Sequence, residues 1–367
     1  MIKKIVYKIE NVARIYSGGD KPECCSNEKN DEFSVPIYSN GLENEGLYGY
    51  TNKAQIEGDC ITVSARGVNI GTVFYRQQPF LPIVRLLSVI PDRSKINPKY
   101  LYYYFKTDKI IGTGSAQPQI TIPFFSKKKI YVFENIETQK KIASVLSAYD
   151  NLIENNNKRV KILEQMAENL YKEWFVRFRF PGHETTPIEN GIPKGWKKGI
   201  LSEICCFLRG KNITSSEMVE GPYPVIAAGL EPSGYHNEAN VNGVSITISN
   251  SGANAGYISI HYSDIWAADC SYVSELKTEN IFFVYEMLRN LSSVITNLQR
   301  GAAQPHVYAK DVNDLKMYLP PKELMNKANT QFRAIHQQIS ALTKQNDLLI
   351  KQRDLLLPRL MSGKLAV

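Results

Sequence analysis

The chain carries one sequence module twice. Residues 49–73 read GYTNKAQIEGDCITVSARGVNIGTV, and residues 234–258, 185 positions later, read GYHNEANVNGVSITISNSGANAGYI. Eleven of the 25 aligned positions are identical, and others exchange like for like: Ile56 for Val241, Val63 for Ile248, Val73 for Ile258. The repetition extends both ways. PIYSNG at 36–41 answers to PVIAAG at 224–229, and GSAQPQI at 114–120 answers to GAAQPHV at 301–307. Each copy then has an apolar patch, at 130–133 or 317–320, followed by a long helical pattern. This period far exceeds the ~20–50 residues of a solenoid repeat. The order is therefore domain, helix, domain, helix.

Each domain reads as mixed α and β. The β-branched runs at 60–63 and 245–248 are strand-like. Gly58, Gly67 and Gly71 punctuate one copy, and Gly243, Gly252 and Gly256 the other, as glycines do at turns and bulges. Residues 99–105 and 281–291 read as helices beside those strands.

The two long helical patterns are the clearest local signal. In the first, Ile142, Val145, Tyr149, Leu152 or Ile153, Val160, Leu163, Ala167, Leu170 and Trp174 recur at spacings of three and four. In the second, Ile335, Ile339, Leu342, Asn346, Leu349, Leu356 and Leu360 do so. About 35 residues at ~1.5 Å each make a rod of ~50 Å. A narrow stripe of that length is coiled-coil-like, and pairing the two helices antiparallel buries it, with a domain at each end. Asn156 and Asn346 fall on the seam, where a buried Asn fixes register, or else they face solvent. The expected fold is α+β: two duplicated mixed α/β domains separated by two long antiparallel coiled-coil-like helices, with pseudo-twofold symmetry. The expected divisions are 1–136 for the first domain and 137–177 for a central spacer helix. Residues 178–320 hold a Pro- and Gly-rich linker and the second domain, and 321–367 the closing spacer helix.

Composition narrows the setting. With 43% hydrophobic residues in 367, the chain can build sizeable cores, and no window approaches the ~18 apolar residues of a membrane span. Lys3, Lys4, Lys8 and Glu10 interrupt the N-terminus, which has no signal-peptide core, so a cytoplasmic protein is expected. The six cysteines include two adjacent pairs and no C-x-x-C, which fits reduced thiols better than zinc ligands. A net charge of +8 suits a polyanionic partner, although a merely basic surface gives the same sum.

Specific motifs now point to a family. EQMAENLYKEWFVRFRFPG at 164–182, followed by IPKGWKKGILSEI at 192–204, resembles the central conserved region of the specificity subunits of type I restriction-modification enzymes. ETQKKIASVLSAYDNLIENNNKRVKILEQ at 137–165 is similar to their first conserved helix, and LLLPRLMSGKL at 355–365 to their closing helix. GSAQPQI and GAAQPHV resemble the loop that each target recognition domain carries before its helix. The resemblance covers nearly the whole chain. It implies two target recognition domains, each reading one half of a split site in double-stranded DNA. It implies that the helices set the spacer and dock two adenine-methyltransferase subunits, joined where present by restriction/translocase subunits. The specificity subunit itself would be non-catalytic and bind no cofactor, with S-adenosylmethionine, ATP and magnesium on the partners. The competing reading is a coiled-coil scaffold whose globular ends bind proteins.

Motif searches agree with an absence of chemistry. There is no GxxxxGK[ST] and no H-E-x-x-H, and the five histidines have no ligand spacing. Asn97-Pro98-Lys99-Tyr100 superficially resembles an adenine-methyltransferase Asn-Pro-Pro-aromatic motif, but Lys99 breaks it.

Two domains reading different half-sites should share scaffold and differ at base-facing positions. The shared Asn69/Asn254 and Gln117/Gln304 read as backbone contacts or loop caps. The divergent Arg66, Arg76, Gln77, Gln78 and Gln119 in the first domain are candidates for base contact. So are Asn250, Ser251, His261 and His306 in the second, and Arg300 is a further DNA-binding candidate there. Arg suits guanine, and Gln or Asn suits adenine. Lys127, Lys128, Arg209 and Lys211 read as phosphate contacts, which bind without regard to sequence. Helix pairing is assigned to Val145, Tyr149, Ile153, Asn156, Val160 and Leu163 against Ile335, Ile339, Leu342, Asn346, Leu349 and Leu356.

Overall fold

The computed structural model describes residues 3–112, 118–301 and 305–367. It divides into two compact units, Met1–Glu154 with Asn346–Val367, and Asn155–Gln345. Each unit takes a segment of both long helices, where the sequence division set those helices apart.

The first unit contains β1 (Lys4–Lys8), β2 (Ala13–Ser17), β3 (Val35–Tyr38), β4 (Leu47–Thr51), β5 (Cys60–Val63), β6 (Val73–Arg76), β7 (Leu81–Pro82) and β8 (Leu87–Pro91). Helices α1 (Pro98–Thr107) and α2 (Ile122–Ser126), strand β9 (Lys129–Phe133) and the start of α3 (Ile136–Tyr171) follow. The second unit has β10 (Ile188–Glu189), β11 (Ile192–Pro193), β12 (Lys197–Ile200), β13 (Leu208–Arg209), β14 (Tyr223–Ile226) and β15 (Gly234–His236). Next come β16 (Ser245–Ser249), β17 (Ile258–His261), β18 (Trp266–Ala267), β19 (Cys270–Ser274), α4 (Ile281–Asn290) and α5 (Ser292–Thr296). Helix α6 (Ala309–Asn313), strand β20 (Lys316–Leu319) and α7 (Lys322–Ser362) complete the chain.

The duplication is visible strand by strand. The first unit has a sheet of order β2-β8-β5-β6, a second of order β4-β3-β7, and the pair β1-β9. The second unit has β13-β19-β16-β17, β15-β14-β18 and β12-β20. The one parallel pairing of each matching sheet, β3 with β7 and β14 with β18, also recurs. Strands β5 and β16 are buried along their whole length, which explains their unbroken β-branched runs.

Asn97-Pro98-Lys99-Tyr100 begins α1. Asn97 Oδ1 accepts from the Tyr100 amide at 2.9 Å, and Pro98 occupies the first turn, where its missing N–H costs nothing. The motif is a helix cap.

In each unit the helix segments enter the domain core. In the first, Ile142, Ala143 and Leu146 of α3 and Leu357, Leu360 and Met361 of α7 join the cluster around Ile61, Val89 and Tyr100. In the second, Ala167 and Tyr171 of α3 and Ala328 and Phe332 of α7 join Ile246, Ile248 and Phe283. Within each unit the segments are antiparallel, linked by Asp150 to Arg353 in one and by Asn156 Nδ2 to Gln345 Oε1 at 3.0 Å in the other. Asn156 and Asn346 are buried, as are Ile339 and Leu342. Tyr149, Ile153, Val160, Leu163, Ile335, Leu349 and Leu356 are half-buried. Val145 is a correction: it is 37% exposed, and Leu146 is buried in its place. Helix α3 faces its own domain as well as α7 at this end, and that widens the buried stripe to Ala143 and Leu146.

A polar link ties the domain to a long helix at the same repeat position in both units. Tyr103, sixth in α1, donates to Asp150 Oδ2 at 2.6 Å, and Arg353 Nη1 donates to Asp150 Oδ1 at 2.6 Å. Glu286, sixth in α4, holds His336 Nε2 at 2.9 Å, and the Tyr262 hydroxyl lies 2.8 Å from His336 Nδ1. Asp150 and His336 are each the fifteenth residue of their helix.

The segment expected as linker is packed. Phe175, Phe178 and Phe180 surround Trp196 with ring centroids at 6.1, 5.1 and 6.2 Å, and Phe175 meets Phe283 at 4.9 Å. Lys3 pairs with Glu134, while Lys4 caps α7 by donating to Met361 O at 2.9 Å. Among the described residues, no helix is long and apolar enough to cross a membrane, and the six cysteines are unbridged.

Candidate nucleic-acid interface

In the first unit Asn40, in the turn after β3, gathers three loops. Its Nδ2 donates to Val84 O at 2.6 Å, its Oδ1 accepts from the Ala65 amide at 2.9 Å, and its carbonyl accepts from Asn69 Nδ2 at 3.3 Å. The loop between β5 and β6 closes on itself, with Ser64 N to Thr72 O at 2.9 Å and Gly71 N to Ser64 O at 2.8 Å. Gly71 has φ +83°, and a Cβ there would lie 2.1 Å from Ile110 O, so only glycine fits. The Ile120 amide donates to Ala65 O at 2.9 Å, which brings Gln119 to the same loop. Arg66, Asn69 and Gln119 thus come together, with Arg66 and Gln119 exposed. Val68 at the tip is 99% exposed.

The second unit repeats the device. Asn254 Nδ2 and Ser249 Oγ both donate to Ala228 O, at 3.4 and 3.2 Å. Val307 N donates to Asn250 O at 2.9 Å, and Gly252 N to Pro305 O at 3.1 Å. His306 bridges to both Ser251 and Arg300. Asn250, Ser251, Asn254, Arg300 and His306 therefore converge. Several are engaged within the protein. Asn250 Oδ1 accepts from Ser271 Oγ at 2.7 Å, Ser251 Oγ donates to Asp269 Oδ2, and Arg300 Nη2 donates to Asp311 at 2.6 Å. Asn250 is buried, so its side chain serves the scaffold, and base contact is withdrawn for it. Arg209 and Lys211 flank the same cluster, because the Gly210 amide donates to Cys270 O at 2.8 Å and that of Lys211 to Ala267 O at 2.9 Å. Gln117 and Gln304 lie outside the described residues.

Two strand-end residues need correction. Arg76 is 3% exposed. Its guanidinium lies 3.6 Å over the Tyr38 ring, donates through Nε to Thr62 Oγ1 at 3.1 Å, and pairs with Glu45 at 3.0 Å. It props the turn at Asn44 and Glu45, both with positive φ, and is closed to DNA. His261 ends β17 as Arg76 ends β6, and bonds Thr247 Oγ1 at 2.8 Å. Burial pushes its pKa down to about 4, so the ring is neutral at pH 7. It lines a cavity of about 250 Å³ with Glu231 and Ser259. Both residues, and the exposed Gln77 and Gln78 that follow Arg76, sit at the hairpin end away from the glycine loop. Lys127 is exposed, and Lys128 is paired with Asp108 at 3.1 Å.

Sequence reasoning missed Arg85 and Asp269. Arg85 is exposed, with φ +62°, on the loop that Asn40 ties to the Arg66 loop. Asp269 accepts from Ser251. Each unit thus presents one loop cluster carrying side chains able to bond base edges or phosphates.

The sequence matches the type I restriction modification DNA specificity domain twice, over residues 1–165 and 193–352. The chain belongs to the type I DNA specificity family. The MjaIX specificity subunit of Methanocaldococcus jannaschii is 28% identical over 329 residues, covering 81% of this chain and 76% of that protein. The MjaVIII specificity subunit of the same organism is 29% identical over 226 residues, covering 56% of this chain and 50% of that protein. The solved type I restriction-modification S subunit of M. genitalium superposes with a TM-score of 0.71 at 20% identity, over 98% of this chain and 96% of that one. The family match selects the specificity-subunit reading over the scaffold.

Proposed function

We propose that this specificity subunit reads a bipartite DNA site, each unit's loop cluster contacting one half in the major groove. The reading rests on one observation above all. The family match falls twice, on two units of identical strand order whose loops carry different side chains at equivalent positions. A shared scaffold with divergent loops is what reading two different half-sites requires. Each long helix contributes to both units, which suits a ruler that sets the gap between half-sites. The subunit supplies recognition and no chemistry. The partner methyltransferase subunits supply adenine methylation with S-adenosylmethionine, and restriction subunits, where present, supply ATP- and magnesium-dependent translocation and cleavage. Leu152, Ile162, Met166, Leu348 and Leu355 are 48–70% exposed on the long helices and suit docking of those partners.

The test is a map of methyl-adenine in cells with and without this gene, the methyltransferase subunit being present in both. A two-part motif with a fixed gap should depend on the gene. Matched seven-residue insertions in α3 and α7 add ~10 Å, on the order of three base pairs of gap. An unbroken palindrome, or no dependent motif, sinks the reading.

A further inference from the structure

The loop entering β8 and its counterpart entering β19 occupy the same place in the two repeats. The Ile83 amide donates to Tyr38 O at 2.9 Å, as the Ala268 amide does to Ile226 O at 2.8 Å. The Gly18 amide donates to Leu86 O at 2.8 Å, as the Gly210 amide does to Cys270 O at 2.8 Å. Between these anchors the first unit has Val84-Arg85, and the second has Asp269 alone. The first loop is one residue longer, and both its residues hold positive φ, at 53° and 62°. That left-handed turn is unusual for a valine followed by an arginine, and it lifts Arg85 into solvent.

Each loop abuts the glycine loop of its own unit. In the first unit, Asn40 joins Val84 O to the Ala65 amide, placing Arg85 and Arg66 on adjacent loops. In the second, Ser251, at the position equivalent to Arg66, donates to the Asp269 carboxylate. Two cations in one cluster therefore correspond to a serine–carboxylate pair in the other. A carboxylate facing DNA is repelled by phosphate, so it is favourable there only if a base edge donates to it. A carboxylate offers about four acceptor sites, and Ser251 occupies one while fixing its orientation. Among base edges, the exocyclic amines of cytosine N4 and adenine N6 are the major-groove donors. Guanine O6 and N7 are the acceptors that a guanidinium meets with two bonds.

We infer that this loop position reads a base in each half-site, Arg85 beside Arg66 selecting a guanine and Asp269 oriented by Ser251 selecting a base with a major-groove amine. The inference rests on the bipartite reading above. Its test uses the full chain with its methyltransferase partner in cells, and maps methylated motifs for Arg85→Ala, Asp269→Asn and the wild type. Arg85→Ala should relax one guanine position in one half-site, with discrimination there falling on the order of 10- to 100-fold. The other half-site should stay unchanged. Asp269→Asn should relax or shift one cytosine or adenine position in the opposite half, and which base moves distinguishes the two amines. Asp269→Asn keeps an oxygen for Ser251, so the loop retains its internal hydrogen bond while the charge is removed. A wild-type bipartite motif that both variants leave intact, or that both weaken equally at every position, overturns the inference. Loss of the motif in the wild type would instead overturn the bipartite reading itself.

Discussion

Replacing His336 with alanine should destabilise the second unit by about 3 kcal/mol, the upper end of the cost of leaving a buried acceptor without its donor, because that acceptor is a carboxylate. Glu286 is 1% exposed and His336 2% exposed. One Glu286 oxygen lies 2.9 Å from His336 Nε2; the other has no hydrogen bond, and Arg289 stands 3.9 Å away. Tyr262 and Glu286 are both satisfied by a neutral ring carrying its proton on Nε2, a tautomer assigned from these partners. Without the ring, the carboxylate keeps only a distant cation and Tyr262 loses its acceptor. Glu286→Gln removes the charge but keeps an oxygen, so it should cost about 1 kcal/mol. The double variant should then cost about 2 kcal/mol less than the sum, because no charge is stranded. Trp174, Trp196 and Trp266, the chain's three tryptophans, all belong to the second unit, so urea unfolding followed by tryptophan fluorescence reads it directly. A cost below about 1 kcal/mol for His336→Ala, or strict additivity in the double variant, would refute the stranded-charge reasoning.

Three further outcomes are expected. Arg76→Ala should cost about 2–4 kcal/mol, from lost ring contacts and a released Glu45, and amide exchange at 42–46 should speed up; unchanged exchange would remove Arg76 as the prop. The His261 pKa of about 4 lies below the ordinary 6.5, so the unfolded chain binds the proton first as pH falls. Up to about 3 kcal/mol of stability should be lost between pH 6.5 and 4, and His261→Gln should flatten that slope in unfolding midpoints taken across pH. Asn97→Ala removes the α1 cap and should cost about 1 kcal/mol by chemical unfolding, with Asn97→Asp nearly neutral.

The duplication, the buried strands β5 and β16 and both long helices were legible because period, β-branching and heptad spacing are local signals. The glycine loops were legible too, since Gly71 has no sterically allowed substitute. The failures share a cause. Arg76 reads as a surface cation until Tyr38 and Glu45, both distant from it in sequence, close around it together with Phe74 of its own strand. Val145 and Leu146 compete for one seam, and only the position of the domain beneath α3 decides between them. Arg85 and Asp269 escaped because their loops differ in length, and the equivalence appears only through the backbone bonds on either side. A search for unequal loops entering matched strands would have found them.

The paired contacts at Tyr103–Asp150 and Glu286–His336 make module exchange directional. Moving the first domain onto the helix that carries His336 sets a tyrosine hydroxyl against an imidazole, a compatible pairing. Moving the second domain onto the helix that carries Asp150 sets Glu286 against a second carboxylate in a half-buried contact, where the single cation Arg353 would face two acids. Chimeras built by transplanting the second domain would therefore need Asp150 replaced as well. The reverse graft needs no such repair, so the chain's two readers are not equally portable.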